Sequence, residues 1–310
     1  MNILKNRIMI IAVLLLLMNM ISPAYAWSNG GWSIDVNNPT DGTHDQILEK
    51  AINMLPSDMK AKINIVAAKY GSEIPDCNAG IYCIGDTVRH HVYYYSNGNL
   101  QDDIGAKRAQ EEYDLAKSSL QNSDNYNFSL HVGIMSHYMS DLAVYGHTMG
   151  INTDWGAETS HSKYESYAGN HPELVSGVTF DNKLDSISAY NASLAIAKDT
   201  TFGDGIHTNV WMENNYNIYD SIYLQEMQNS IGYGTNSIAD VIYTMLQTVP
   251  PPNTDIVTYY RGLGQNPNVV ETGDLLKAAD DWRDNIIPPG FSVSIATSQL
   301  LTLADEWRNS

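Results

Sequence analysis

The sequence contains few cysteines and few positively charged residues, and each shortage limits the metal sites and the binding partners that the chain can have. Only two cysteines occur in 310 residues, so a zinc site would have to recruit other ligand types. Lysine and arginine number 17 against 35 acidic residues, giving a formal net charge of −18. A field of that sign repels nucleic acid and anionic lipid surfaces, so we expect no nucleic-acid partner. A phosphate-bearing substrate would need a local positive charge, such as bound metal ions; alternatively, the acidity simply keeps an exported protein soluble.

Only one long apolar run occurs, residues 8–21, and it lies at the N-terminus. It follows Lys5 and Arg7 and precedes an Ala-x-Ala motif that ends at Ala26. This pattern is typical of a signal peptide over residues 1–26, and the run is short for a membrane span of about 20 residues. An uncleaved anchor is the alternative. Cleavage would predict a secreted or extracytoplasmic, soluble chain of 284 residues with a net charge of −20 and no transmembrane segment.

Strict alternation of apolar and polar residues is scarce, whereas apolar residues three and four apart recur along the chain. This periodicity predicts an all-α fold. Thr43 is predicted to cap the first helix, and Ser57 to open a second that Gly71 ends. Further helices are predicted near residues 102–121, 127–146, 160–168, 184–199, 207–229 and 235–249.

Two segments of the chain interrupt the pattern of predicted helices. Residues 71–101 are rich in Gly, Pro, Cys and Asn, and we interpret them as a functional loop in which Cys77 and Cys83 are a candidate disulfide. A proline run at residues 250–252 interrupts the helical pattern, and amphipathic segments near 273–284 and 293–307 follow. We therefore predict one multi-helix bundle domain, residues 27–249, with a C-terminal helical extension, residues 250–310.

Two histidine–carboxylate pairs stand out at helical spacing. His137 and Asp141 are four residues apart, as are His161 and Glu165, and His147 lies between the pairs. Residues four apart share one face of a helix, so each pair can present an imidazole and a carboxylate to one metal ion. Such clustering in a chain with nine histidines indicates a metal site.

These segments resemble the zinc-dependent phospholipase C family of bacteria. The stretch from His137 to Asp141 resembles the family's His-Tyr-x-x-Asp helix, and His161-Ser-Lys-Tyr-Glu165 resembles a second family segment at the same distance. Upstream, the helix containing His44 and the segment His91-Val-Tyr resemble two further ligand segments of the family. Asp76, in the loop before His91, is the best candidate for the remaining ligand.

The resemblance implies an all-α bundle with three zinc ions. The implied ligands are Asp76, His91, His137 and Asp141 for the first ion; His147, His161 and Glu165 for the second; and His44, Asp141 and the amine and carbonyl of Trp27 for the third. Asp76 is also the implied catalytic residue, acting as a base or as the residue that orients the water. The second ion keeps positions open for water and substrate, as catalytic zinc requires.

For two of these ligand assignments, the residues alone leave an alternative open. His90 competes with His91, which is preferred because Val92-Tyr93 fits the family phrase, and Asp86 competes with Asp76 in the same loop. The three histidines interpreted as non-ligands are His131, His171 and His207.

The resemblance implies an exported hydrolase that cleaves the phosphodiester bond of phospholipids at a membrane surface, through hydroxide generated on zinc. Its products would be diacylglycerol, or an equivalent lipid alcohol, and a phosphorylated headgroup. The alternatives are a P1/S1-type single-strand nuclease and a zinc-binding protein without turnover. The nuclease family matches less well, because it places Asp where this chain has Glu165.

Overall fold

The structure is a computed structural model of the chain. It describes residues 41–77, 83–86, 88–122, 124–247, 255–263, 266, 269–288, 291 and 294–309. The predicted signal peptide, Trp27 and the proline run lie outside the described residues. Within those residues, no helix is both long enough and apolar enough to cross a membrane.

The all-α prediction is confirmed. The described residues form 13 α-helices, two short 3-10 helices and one two-stranded antiparallel sheet. The α-helices are α1 (Thr43–Asn53), α2 (Ser57–Lys60), α3 (Ile65–Glu73), α4 (Ile104–Gln121), α5 (Asn125–Asp141), α6 (His161–Asn170), α7 (Glu173–Ser176), α8 (Ala189–Phe202), α9 (Asn209–Asn214), α10 (Ser221–Gln247), α11 (Ile256–Arg261), α12 (Thr272–Arg283) and α13 (Thr297–Asn309). The 3-10 helices are Ile74–Asp76 and Tyr145–Thr148, and the strands are β1 (Tyr93–Tyr94) and β2 (Leu100–Asp102).

Helix α5 lies at the centre of the fold. From Val132 to Asp141 every residue is buried, which is the pattern of a helix surrounded by other elements. Helices α3 and α4 pack along it, and α1, α8 and α10 complete its surroundings. A polar side chain on this part of α5 therefore faces protein on every side and needs a partner there.

Helix α3 crosses α5 at two glycines. A Cβ on Gly71 would overlap the carbonyl oxygen of Leu130, and a Cβ on Gly133 would overlap that of Ala68. The prediction that Gly71 ends its helix is therefore wrong, because α3 continues to Glu73 and the glycine permits close approach of two backbones. This contact brings the chain after α3 beside the C-terminal half of α5.

Other predicted boundaries also differ from the structure. The second predicted helix is divided into α2 and α3, and the helix predicted to reach residue 146 ends at Asp141. The helix predicted over 207–229 begins as the separate α9. Helix α10 runs unbroken across residues 230–234, which were left between the helices predicted over 207–229 and 235–249. Gly234 there allows contact with Ala143, since a Cβ would stand 3.1 Å from that side chain.

The C-terminal helices α11, α12 and α13 share a small apolar core of their own. Its buried members are Ile256, Tyr260, Val270, Ala278, Ile295 and Leu303. The Trp282 indole donates to the Thr297 hydroxyl over 3.1 Å, and the Trp307 indole donates to the Thr272 hydroxyl over the same distance. The two predicted C-terminal helices are thus present as α12 and α13, held together at both ends.

Candidate metal centre

The buried interior beside α5 contains five histidines and three carboxylates whose potential ligand atoms form three groups. The groups are His44, Asp76 and His137; His90, His137 and Asp141; and His147, His161 and Glu165. Within each group the ligand atoms lie within 4.8 Å of one another. These residues come from α1, both 3-10 helices, α5, α6 and the segment before β1, so chain segments far apart in sequence meet here.

Asp141, the last residue of α5, is the centre of the cluster. Its Oδ1 lies 3.4 Å from Nε2 of His44 and 3.9 Å from Nε2 of His147. Its Oδ2 lies 2.6 Å from Nδ1 of His90 and 3.4 Å from Nε2 of His137. One carboxylate therefore faces four imidazoles, an arrangement that suits a ligand shared between metal ions.

The third group is built on the start of α6. Nε2 of His161 lies 2.6 Å from Oε1 of Glu165, one helical turn away on the same face. Nε2 of His147, on the second 3-10 helix, lies 3.5 Å from the same oxygen. On the other side of the ring, Nδ1 of His161 lies 3.7 Å from the Glu158 carboxylate.

The structure places His90, and not His91, in the cluster. His90 is 6% exposed and, besides facing Asp141, its Nε2 donates to the backbone carbonyl of Asp86 over 2.5 Å. His91 points away, stacks on Tyr93 and lies 3.4 Å from Asp102. The structure therefore favours His90 over the His91 preferred from the sequence: the two neighbouring rings have different surroundings, and the resemblance of the following residues did not reveal which ring lies in the cluster.

Asp76 lies at the cluster, whereas Asp86 does not. Oδ1 of Asp76 is 3.4 Å from Nε2 of His137 and 3.7 Å from Nε2 of His90. Asp86 accepts hydrogen bonds from Nε of Arg89 over 2.8 Å and from the Tyr138 hydroxyl over 3.1 Å. These hydrogen bonds fix the position of the loop that contains Asp86. The neighbouring cysteines, Cys77 and Cys83, form a disulfide in the same loop.

The three histidines interpreted as non-ligands lie elsewhere and pair with other acids. Nδ1 of His131 is 2.6 Å from Glu112, that of His171 is 2.6 Å from Glu173, and that of His207 is 3.0 Å from Asp204.

Hydrogen bonds on the far sides of two rings fix their orientation. Nδ1 of His137 donates to the carbonyl of Ser72 over 2.7 Å, which turns Nε2 toward the carboxylates. Nδ1 of His44 is 2.7 Å from the Ser140 hydroxyl. These two serines and Glu158 were not singled out from the sequence. Only their positions give a signal: Ser140 precedes Asp141 and Glu158 lies three residues before His161.

Several of the potential ligand atoms in this cluster have no hydrogen-bond partner in the part of the chain that the structure describes. Among the buried atoms that lack a hydrogen-bond partner within the described residues, five belong to this cluster: Nε2 of His44, His137 and His147, Oδ1 of Asp141 and Oε2 of Glu165. Burying polar atoms without partners costs free energy, and so many converging on one place need an explanation. Imidazole nitrogens and carboxylate oxygens are the ligands that zinc binds, so the residues fit this metal.

Two of the rings are held neutral by their surroundings. Burial lowers the pKa of His44, and the positive charges that His137 and His90 can carry lower it further. Burial likewise lowers the pKa of His147, assisted by His161 and His90. A neutral imidazole is the form that binds a metal.

Two other rings are held charged by carboxylates. Burial opposes a charge on His137, but Asp141 and Asp76 outweigh it and raise the pKa to about 9. Burial also opposes a charge on His161, but Glu165 and Glu158 raise its pKa to about 10. Without a metal these rings hold protons at neutral pH, and a metal ion would displace those protons.

The cluster lies in the part of the chain that matches a known protein family. Residues 43–195 match the family model described as zinc dependent phospholipase C, and this range contains all eight residues of the cluster. No curated protein matches the sequence. Among solved structures, the alpha toxin from Clostridium absonum aligns with a TM-score of 0.47 at 16% identity over 70% of this chain. This chain covers 65% of the toxin, less than two thirds of its length.

Proposed function

This chain belongs to the zinc-dependent phospholipase C family, and from that premise we propose that it hydrolyses the phosphodiester bond of phospholipids. The products would be diacylglycerol, or an equivalent lipid alcohol, and a phosphorylated headgroup. The observation that carries the proposal is the group of buried, unpartnered imidazole and carboxylate atoms inside the matched range.

The proposed metal positions follow the sequence expectation with one substitution, His90 for His91. The first would be held by Asp76, His90, His137 and Asp141; the second by His147, His161 and Glu165; and the third by His44, Asp141 and the amine and carbonyl of Trp27. Asp141 would be shared, which is consistent with its two oxygens facing different imidazoles.

Bound zinc ions would supply positive charge to a phosphodiester and lower the pKa of a water molecule. The remaining chemistry belongs to the protein. Asp76 is the most exposed of the three carboxylates, with its side chain 10% exposed against 0% for Asp141 and 3% for Glu165. It is therefore the carboxylate best placed to accept a proton from an entering water. The buried carboxylates of Asp141 and Glu165 would act as ligands only.

Export and action at a membrane surface are part of the proposal. Residues 1–26 have the pattern of a signal peptide, and a phospholipid substrate lies in a bilayer. The net charge of −18 repels an anionic membrane at long range, so the bound cations would have to attract the substrate phosphate locally.

The test is a comparison of three substrates with protein that begins at Trp27. We expect zinc-dependent hydrolysis of phosphatidylcholine or another phospholipid, loss of activity in chelator, and recovery on adding zinc. Single-stranded DNA and a chromogenic phosphodiester are the parallel substrates. Cleavage of DNA in preference to every phospholipid would overturn the proposal in favour of a nuclease, and full activity in metal-free protein would refute metal catalysis.

Substitutions of the proposed ligands test whether this activity depends on the cluster. His147→Ala, His161→Ala and Glu165→Ala should each abolish turnover, because each removes one of three protein ligands from the second position. His171→Ala is the matched control, since this partly exposed ring pairs with Glu173. Turnover near wild type in the first three variants would refute the assignment of this position.

A further inference from the structure

Glu213, on the short helix α9, contacts both segments that carry the second metal position. Its Oε2 accepts a hydrogen bond from the Tyr145 hydroxyl over 3.0 Å. Its Oε1 accepts from the backbone N–H of Thr159 over 2.9 Å and from the hydroxyl of the same residue, and Oε2 accepts from the N–H of Ser160 over 3.2 Å. Four donors thus converge on one carboxylate. Glu213 lies beyond the range that matches the family model.

These donors lie immediately beside the proposed ligands. Tyr145 begins the 3-10 helix that carries His147, and it is 1% exposed. Thr159 and Ser160 directly precede His161, which begins α6. The Glu213 carboxylate therefore binds the N–H groups of the two residues just before the helix that carries two of the three ligands, at the end of that helix where negative charge is favourable.

A second residue of α9 strengthens this connection. Asn209, one helical turn before Glu213, donates from its side-chain amide to the carbonyl of Thr148 over 3.2 Å, and both residues are fully buried. Thr148 follows His147 directly. Residues four apart lie on one face of a helix, so α9 holds both ends of the 3-10 helix that carries His147.

We propose that Glu213 is a positioning residue for the second metal position: it fixes the distance between the 3-10 helix carrying His147 and the helix carrying His161 and Glu165. This inference rests on the proposed function, because it assigns a role toward the zinc held there. The geometry requires such a connection, since His147 reaches Glu165 from a separate segment and zinc accepts ligands only at about 2.0 to 2.2 Å.

The test is Glu213→Gln, which keeps the size of the side chain and removes its charge. An amide offers one acceptor oxygen where the carboxylate offers two, so some of the four donors lose their partner. Zinc affinity is measured for each position by competition with a chelator. We expect affinity at the second position to fall about 10- to 100-fold, the usual effect of removing a residue that orients ligands, with the other positions unchanged. In turnover, kcat should fall while KM stays near wild type.

Asp204→Asn is the matched control. Asp204 also accepts two backbone N–H groups, those of Ile206 and His207, but it lies in an exposed turn away from the cluster. This variant should keep wild-type zinc affinity at every position. Tyr145→Phe and Thr159→Val each remove one hydroxyl from Glu213, and each should weaken the second position less than Glu213→Gln. If Glu213→Gln fails to fold, these two variants still have to weaken the second position selectively.

Three outcomes would overturn the inference. Wild-type affinity at the second position in Glu213→Gln would refute it while leaving the proposed hydrolase intact. An equal loss at all positions would indicate general destabilisation and also refute it. Wild-type protein that binds no zinc would refute both the positioning role and the proposed function.

Discussion

Gly146 lies directly against the imidazole of His161: a Cβ added to this glycine would stand 2.5 Å from Cγ of the ring. Its φ is not in the left-handed region, so the requirement is for space and not for an unusual backbone conformation. Gly146→Ala should therefore displace His161 and move it away from Glu165. We expect zinc affinity at the second position to fall at least about 10-fold, measured by chelator competition, because ligand geometry is disturbed.

The control for this substitution is Gly273→Ala. A Cβ at Gly273 would meet nothing within 4 Å, and the residue lies in the first turn of α12, so the change should leave zinc binding intact. If Gly146→Ala bound zinc as tightly as the control, the close contact would have no role in the site.

The adjacent histidines give a sharp test of which ring is a ligand. His90→Ala should lose affinity at the first position by more than about 100-fold, since a ligand and not merely its support is removed. His91→Ala should retain that affinity, because its ring stacks on Tyr93 outside the cluster. Zinc content after dialysis measures both, and the opposite result would restore the sequence preference for His91.

The pH dependence of the metal-free protein follows from His137 and His161. Their pKa values are raised in the folded protein from 6.5 to about 9 and about 10, so the folded state holds protons that the unfolded chain releases. This stabilisation is fully present below about pH 6.5 and is lost as the pH rises through the folded pKa values. Each ring contributes a fall of at most about 1.4 kcal/mol per pH unit.

Thermal unfolding at pH 7, 8 and 9 would measure this effect. We expect the unfolding temperature of chelator-treated protein to fall across this range, whereas zinc-loaded protein, whose ligands have already lost their protons, should change less. A metal-free protein with constant stability from pH 7 to pH 9 would contradict the ion pairs of both histidines.

The role of the N-terminus stays a prediction, since Trp27 lies outside the described residues. Protein that begins at Trp27 has a free amine with a pKa of about 8 that can bind a metal, whereas one extra residue converts that amine into an amide. The extended protein should lose about one equivalent of zinc and turn over more slowly. Equal zinc content and equal kcat in both proteins would show that the N-terminus is not a ligand.

The sequence predicted the fold class and most of the cluster because both have local signals. Periodic apolar residues predict helices, and His161 and Glu165 share a helical face wherever the helix packs. Glycine was misleading at Gly71, because a glycine that ends a helix and one that permits a close crossing look alike in sequence. Only the position of Leu130, some 60 residues away in the chain, decides between them.

The supporting contacts could not be predicted because they join distant segments. His90 and His91 differ by one position, and the direction of each ring depends on how the backbone turns before β1. Glu213 meets Thr159 from 54 residues away, and no local spacing relates the two. Ligands leave a pattern in the sequence when they lie on one helix. The residues that orient these ligands leave no such pattern, because they act through tertiary contacts.

The distances in sequence between the members of the cluster also have a consequence for folding. His44 meets Ser140 across 96 residues and His90 meets Asp141 across 51, so the ligands assemble only after long loops have closed. Zinc would therefore bind the native chain far better than the unfolded one, and its binding free energy would add to native stability. The amount of tightly bound zinc would thus count natively folded molecules in a preparation, without a substrate or an assay of turnover.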